Sequence, residues 1–527
     1  MEKGYLAFVL HAHLPFIRHP EHDDFLEERW FFEAITETYI PLLEMMENLT
    51  RDGVDFALTM NVSPSLCAML SDELLQNRYI RHINSLIELA EKEIERNRFS
   101  PDFHKLALMY YHTFVRSRDI FCNRYQRNLI NGFKHFQSKG CLEVITCGAT
   151  HGYLPLMQVN PESARAQIRI GANSHRRHFG SNPKGIWLPE CAYYEGVDKY
   201  LKEEGIKYFL LETHGILFAE PRPKFGVYSS YYTKNRVAVF GRDAESSKSV
   251  WSAEEGYPGD YSYREYYRDI GYDLDYDYIK PYISPCGTRI FTGIKYHRIT
   301  GKSMDKQPYS PEQARHTAAD HAANFMFNRE KQIEHLAGLF DRKPIIVAPY
   351  DAELYGHWWH EGVNWLEFLM RKSCYDQKTY KMTTPGRYLK MYPKNQVIEP
   401  AASSWGYKGY YEVWLNGSND WIYPHLHRAQ DAMRDAAVNF GGRSDTEDRI
   451  LNQMARELLL AQSSDWAFIM KTGTFVEYAR KRTITHLERF YLLKTYLDRG
   501  AYNFEVIEDI EDKDNLFPEV TYTAYRP

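Results

Sequence analysis

The 527-residue chain has no apolar run approaching the ~20 residues that a membrane-spanning helix requires. Its start, from Met1 to His11, carries an apolar stretch too short, and too soon interrupted by His11 and Pro15, for a signal peptide. Seven cysteines, at 67, 122, 141, 147, 191, 286 and 374, are scattered without Cys-x-x-Cys spacing, which argues against zinc knuckles and against a disulfide framework. The net charge of −5 gives no electrostatic reason to bind nucleic acid or anionic lipid. No internal repeat and no low-complexity linker is present. These absences lead to the expectation of a soluble cytoplasmic protein with free thiols and an uncharged partner.

What is abundant is aromatic. Forty-one Tyr, 28 Phe and 10 Trp make up 15% of the chain, and flat amphipathic rings can stack on the apolar faces of sugars while their polar edges hydrogen-bond. Most must nevertheless fill a core. With 44% hydrophobic residues the core can be sizeable, and the length exceeds the ~250 to 300 residues that one core usually supports, so more than one domain is expected.

Apolar, β-rich runs recur at Tyr5–Leu10, Phe56–Asn61, Leu142–Cys147, Gly185–Glu190, Tyr208–Glu212, Val237–Gly241 and Ile345–Tyr350, with helical or irregular stretches between. Continuous apolar strands alternating with helices predict a parallel sheet covered on both faces. Seven of them predict an α/β fold, a distorted (β/α)7 barrel. Helical periodicity between the second and third strands predicts a helical insertion at about 71–140, and a Tyr-, Gly- and Pro-rich stretch at about 215–302 predicts loops over the barrel rim. From 418 to 527 the periodicity is helical, at His425–Phe440, Thr446–Ser463 and Phe475–Leu497, and predicts an all-α C-terminal domain packed directly on a catalytic barrel of residues 1–417.

Two of the apolar runs end in a carboxylate, Glu190 after Trp187-Leu188-Pro189 and Asp351 after Ala348-Pro349-Tyr350. The C-terminal rim of a parallel barrel gathers loops from several strands, so two rim acids can face one substrate, and paired carboxylates are the working parts of glycoside chemistry. The alternative is that each acid caps a helix beginning just beyond its strand. His11 and His13 follow the first strand at i, i+2 and share one side of an extended chain, which suits a metal site or a sugar-binding rim; His151, beyond the third strand, fits either. Tryptophans 30, 187, 251, 358, 359, 405, 414, 421 and 466 fall near proposed rim positions, and Trp405 and Trp414 lie in a Gly- and Tyr-rich loop where exposure is expected. Asp465 closes a helical stretch, placed either to bind sugar hydroxyls or to solvate the helix end.

Taken in order, His11-Ala12-His13-Leu14-Pro15, Gly148-Ala149-Thr150-His151-Gly152-Tyr153, Trp187-Leu188-Pro189-Glu190-Cys191-Ala192-Tyr193, the stretch from Ala348 to Trp359 and the stretch from Ala455 to Trp466 resemble the five motifs of glycoside hydrolase family 57. The loop from Phe240-Gly241-Arg242-Asp243 to Tyr263-Arg264-Glu265 resembles the branching subgroup of that family. The resemblance implies a (β/α)7 barrel with a helical C-terminal domain, retention of anomeric configuration, and neither metal nor cofactor. It implies Glu190 as nucleophile and Asp351 as general acid/base, with His11, His13, Trp30, His151, Arg264, Trp405, Trp414 and Asp465 as sugar-binding positions; Arg268 is a neighbour of Arg264 in a similar setting.

The implied activity is cleavage of an α-1,4-glucan and transfer to a 6-hydroxyl. A 4-hydroxyl acceptor would give a 4-α-glucanotransferase and water an α-amylase. A metal-dependent carbohydrate deacetylase and a non-catalytic glucan-binding protein are the alternatives from other classes.

Overall fold

The computed structural model describes residues 2–252, 255–284, 287–303 and 305–527; Cys286 lies outside the described residues. Among the described residues the strands are β1 (Gly4–Ala12), β2 (Leu58–Val62), β3 (Leu142–Cys147), β4 (Gly185–Trp187), β5 (Tyr208–Leu211), β6 (Tyr231–Tyr232), β7 (Ala238–Gly241), β8 (Ile345–Asp351) and β9 (Tyr380–Met382). They form one sheet in the order β6-β7-β5-β4-β3-β2-β1-β8, and every pairing from β7 to β8 is parallel. All seven expected strands are present. The two further strands are short: β6 lies antiparallel on β7, and β9 pairs with Gly4–Leu6 of β1, below the stretch Val9–Ala12 that pairs with β2.

The sheet curls into a distorted barrel that strand pairing does not close. Among the described residues no ladder joins β7 to β8; the seam is bridged by the Asp243 N–H donating to the Val347 carbonyl at 2.9 Å. Every residue of β1 is buried, and Phe8 packs against Phe325, Tyr350 and Trp365 at 5.8, 5.6 and 6.1 Å between ring centres. Burying one such ring contributes about 1.5–3 kcal/mol, so a strand covered on both faces is held by side chains as much as by its ladder.

One strand boundary differs from expectation in a way that matters. β4 ends at Trp187 and does not run on to Glu190. Pro189 has no N–H to give to a ladder, and Glu190 itself takes up φ 60°, ψ 23°, a left-handed conformation that a strand cannot contain.

Helices Glu73–Arg96, Pro101–Asp119 and Ile130–Lys139 lie between β2 and β3. The first starts on Asp72, whose carboxylate accepts the Leu75 N–H, and the last stops at Gly140 with φ 80°. Much of the aromatic-rich stretch after β7 leans on these helices. Tyr278 and Tyr296 donate to Glu93 at 2.7 and 2.9 Å, and Tyr110 donates to the Lys295 carbonyl at 2.7 Å.

The C-terminal region consists of helices Ile422–Asn439, Asp445–Ala461, Ser464–Thr472, Val476–Arg499 and Phe504–Lys513. It docks directly on the loop after β3: Ser464 N–H donates to the His151 carbonyl at 3.1 Å, and Gly152 forms an antiparallel bridge with Ser463.

Candidate active site

Parallel register brings three polar strand ends to one level. His11 of β1 pairs with Asn61 of β2 on one side and Asp351 of β8 on the other. Beyond β3 and β4 follow His151 and Glu190. All five stand at the C-terminal rim, where parallel barrels place their chemistry.

His11, His151, Glu190 and Asp351 open into a cavity of about 530 Å³ that is also lined by His13, Arg242, Trp251, Glu353, Trp358, Trp405, Trp414 and Asp465, while Asn61 lies behind His11. The structure therefore brings together eight of the ten residues singled out from the sequence. Trp30 and Arg264 are elsewhere. Trp30 packs edge-on to Phe475 at 5.1 Å, and Arg264 lines a separate cavity, where its guanidinium donates to Tyr110 at 3.2 Å. Arg268 is paired with Asp273 at 3.0 Å and does not line the Glu190 cavity either.

Glu190 is held from three sides. Its Oε2 accepts the Trp405 indole N–H at 2.8 Å, its Oε1 accepts the Ser464 hydroxyl at 2.9 Å, and its backbone carbonyl accepts the Trp405 N–H at 3.1 Å. The left-handed backbone that aims the carboxylate is costly for a non-glycine residue and is maintained by these contacts. Burial pushes the Glu190 carboxyl up to about 7, with Asp465 adding to the rise while Trp405, Ser464 and His13 oppose it.

Asp351 is displaced further. Burial, then the neighbouring carboxylates of Glu353 and Glu190, hold it well above the usual carboxylate range, with Arg242 opposing. Glu353, itself pushed up to about 7 by burial, accepts from the Tyr39 hydroxyl at 2.5 Å and from the His13 N–H at 3.3 Å. The two shifts share a direction and a main cause, burial. Both acids are held toward the protonated form, Asp351 with two neighbouring carboxylates adding to its rise.

The capping alternative fails for both acids. Asp351 precedes a short 3-10 turn without any side-chain cap hydrogen bond, and the Glu190 carboxylate is spent on Trp405 and Ser464. The ligand atoms of His11, Cys147 and His151, and those of His13, His151 and Asp465, lie within 4.8 Å of one another, and in this arrangement the histidine nitrogens meet one another and protein groups. His13 Nε2 meets Asp465 Oδ2 at 3.0 Å and its Nδ1 meets Ser63 Oγ at 2.9 Å; His11 Nε2 meets His151 Nε2 at 3.0 Å. Burial would lower His13, yet the Asp465 carboxylate raises it above its ordinary value. Asp465 is in turn lowered by His13 against the pull of burial, so the two form an ion pair. Burial holds His11 and His151 well below the ordinary histidine value, and both are neutral when considered singly.

Trp414 departs from expectation. Only 1% of it is exposed, its ring stacks on Tyr153 at 4.5 Å, and a Cβ at Gly406 would meet that ring at 2.5 Å. Packing on a bare glycine has turned a loop tryptophan into a wall of the cavity. Trp405 is half-buried, whereas Trp358 and Trp251 are exposed at the mouth, Trp358 by 56%.

Four contributors escaped the sequence reading. Glu353 lies two residues beyond Asp351, and Arg242 directly follows β7. Asn61 closes the apolar run Phe56–Asn61 in a polar group, the same signal that marked Glu190. Ser464 carries no local signal, since it reaches Glu190 only because the helical region docks where it does.

A family model described as glycosyl hydrolase family 57 matches residues 7–401, and one described as 1,4-alpha-glucan branching enzyme, C-terminal, matches residues 425–525. The 1,4-alpha-glucan branching enzyme TK1436 of Thermococcus kodakarensis is 35% identical over 560 residues, 99% of this chain and 78% of that protein. The alpha-amylase AmyC of Thermotoga maritima superposes with a TM-score of 0.93 at 46% identity, over 99% of both chains. The GH57-type branching enzyme of Pyrococcus horikoshii superposes with a TM-score of 0.89 at 33% identity, over 100% of this chain and 97% of its own. Two buried carboxylates at one aromatic-walled cavity, on a chain so matched from end to end, identify a member of glycosyl hydrolase family 57.

Proposed function

We propose that this protein is a 1,4-α-glucan branching enzyme working by retention. Glu190, ionised, attacks the anomeric carbon of an α-1,4-linked glucan while Asp351 gives its proton to the departing oxygen. The glucosyl-enzyme so formed is resolved when Asp351, now a base, takes the proton of a 6-hydroxyl on a second glucan. Asp465 holds hydroxyls around the cleaved bond, His11, His13 and His151 line the site with their nitrogens on protein groups, and Trp405 and Trp414 wall the sugar ring.

The observation that carries this reading is the contribution of the helical region. The segment matched by the branching-enzyme C-terminal model supplies Ser464 to Glu190 at 2.9 Å and Asp465 to His13 at 3.0 Å. Membership of the family also sets aside the deacetylase. Storage-glucan synthesis in the cytoplasm is the setting this reading suggests, and cysteines without a pairing pattern suit a reducing compartment.

Hydrolysis is the second reading, favoured by the likeness to the alpha-amylase AmyC of Thermotoga maritima. The two differ only in whether water or a sugar hydroxyl reaches the glucosyl-enzyme. Incubation with amylose, counting new α-1,6 linkages against new reducing ends by proton NMR, decides between them. Branching predicts that α-1,6 linkages dominate; a product of mostly reducing ends establishes hydrolysis, and altered chain lengths without either establish disproportionation.

A further inference from the structure

A line of four hydrogen bonds runs from the sheet to Glu190. Asn61 Oδ1 lies 2.6 Å from His11 Nδ1, and His11 Nε2 lies 3.0 Å from His151 Nε2. His151 Nδ1 lies 2.8 Å from Ser464 Oγ, which lies 2.9 Å from Glu190 Oε1. Asn61, His11, His151 and Ser464 are all buried. Each contact needs one proton between its two heavy atoms.

The direction of the line is set by the backbone. Asn61 Nδ2 donates to the Ile145 carbonyl of β3 at 3.3 Å, so Asn61 Oδ1 is the atom that faces His11, and it can only accept. His11 therefore carries a proton on Nδ1. Two neutral imidazoles hold two protons and Ser464 holds a third, one short of the four contacts. The fourth sits either on Glu190, donating to Ser464, or on the histidine pair. If Glu190 is ionised and both imidazoles are neutral, two lone pairs must face each other at one buried contact, an arrangement that costs about 1–3 kcal/mol.

We propose that His11 and His151 store the proton of Glu190, passed through Ser464, so that the nucleophile ionises by an internal transfer and does not release its proton to solvent. The inference rests on the reading of Glu190 as nucleophile. The Glu190 O–H bond breaks as its proton joins Ser464 Oγ, and the former Ser464 proton joins His151 Nδ1. A carboxylate and an imidazolium result, with every contact still bridged and the net charge unchanged.

Burial alone disfavours a charged imidazole here, but the carboxylate formed in the same step lies only 3.7 Å from His151 Nδ1. The other groups facing the line add little net charge. His13, stacked on His151 at 4.0 Å, is paired with Asp465; Cys147, beside both histidines, is kept a neutral thiol by burial; Asp351, across the cavity, keeps its proton. Ser464 acts through Glu190 and is a positioning residue.

The test counts ring protons on the full-length protein labelled with ¹⁵N-histidine, by ¹H–¹⁵N correlation, with resonances assigned from His11→Gln and His151→Gln. At the pH of maximal activity the wild type is expected to show one imidazolium in the His11–His151 pair. In Glu190→Gln, whose amide takes the place of the protonated carboxyl, both rings become neutral. Ser464→Ala also leaves both neutral and lowers kcat by about tenfold or more with little change in KM, while Ser464→Thr restores the imidazolium and most of the rate. Two neutral rings in the wild type, or an imidazolium that survives Ser464→Ala, overturns the proposal. These readouts need no glucan, whereas a wrong nucleophile assignment shows itself separately, as amylose turnover persisting in Glu190→Gln.

Discussion

Trp405 grips Glu190 twice, through its indole N–H on the carboxylate at 2.8 Å and through its backbone N–H on the carbonyl at 3.1 Å. The first contact favours the ionised acid and the second fixes the strained turn on which that acid sits. Trp405→Phe keeps an aromatic wall and the backbone contact while removing only the indole donor. The carboxylate is then less favoured, so the proton returns from the histidine pair to Glu190 and kcat/KM falls. A hydrogen bond to a charged group corresponds to about ten- to a hundredfold in kcat/KM at neutral pH. An unchanged kcat/KM would show that this donor does not act on the nucleophile.

Asp351 sets the alkaline limb of the kcat/KM profile. It must carry a proton to serve as acid, so kcat/KM falls as pH rises through its raised value. Glu353→Gln removes one of the charges that raise it and is expected to bring the alkaline limb to lower pH. Asp351→Asn should slow amylose turnover by about 10²–10⁴-fold, yet still form the glucosyl-enzyme from a donor whose aryl leaving group needs no proton. Glu190→Gln loses both reactions, and rapid-quench measurement of aryl release separates the two variants.

The ion pair of His13 and Asp465 ties the helical region to β1, and its contribution to stability has a pH window. Asp465 is depressed, so its share is present above its unfolded value and lost as pH falls through the folded one; His13 is raised, so its share is present below its unfolded value and lost as pH rises through the folded one. Asp465→Asn is expected to cost about 1–3 kcal/mol between those limits, read from the urea midpoint, with the difference shrinking toward strong acid and toward alkali. A difference that does not vary with pH would mean that the pair is not charged.

Trp358, 56% exposed and stacked on Tyr266 at 5.0 Å, stands at the mouth of the cavity. Trp358→Ala is expected to raise KM for amylose by about three- to tenfold while leaving kcat and the unfolding midpoint nearly unchanged. Maltotriose, too short to reach the mouth, should show a smaller effect.

The seven parallel strands and the two catalytic candidates were legible because each rests on a local signal, an apolar run and the polar residue that ends it. Asn61 carried the same signal and went unread, since an amide suggested no chemistry of its own. Trp414 was read as exposed because nothing in a run of residues tells that Tyr153 and Gly406 will enclose it. Ser464 and Trp30 mark where such reading ends. One enters the site and the other stays out of it through the docking of a helical region more than 400 residues from β1 in sequence, and docking leaves no periodicity behind.

The gap between β7 and β8 has a mechanical meaning. Arg242 leaves β7 on one lip of that seam and Asp351 ends β8 on the other, with the Asp243 N–H on the Val347 carbonyl spanning it. Elsewhere around the ring, widening would break a ladder. Here the lips are joined instead by separate contacts, that one together with the Ile345 N–H on the Tyr228 carbonyl at 3.0 Å and the Tyr350 hydroxyl on the Ser246 carbonyl at 2.8 Å. The barrel is thus fastened by individual hydrogen bonds, and not by a ladder, at one point of its circumference, the point where Asp351 lies beside Arg242.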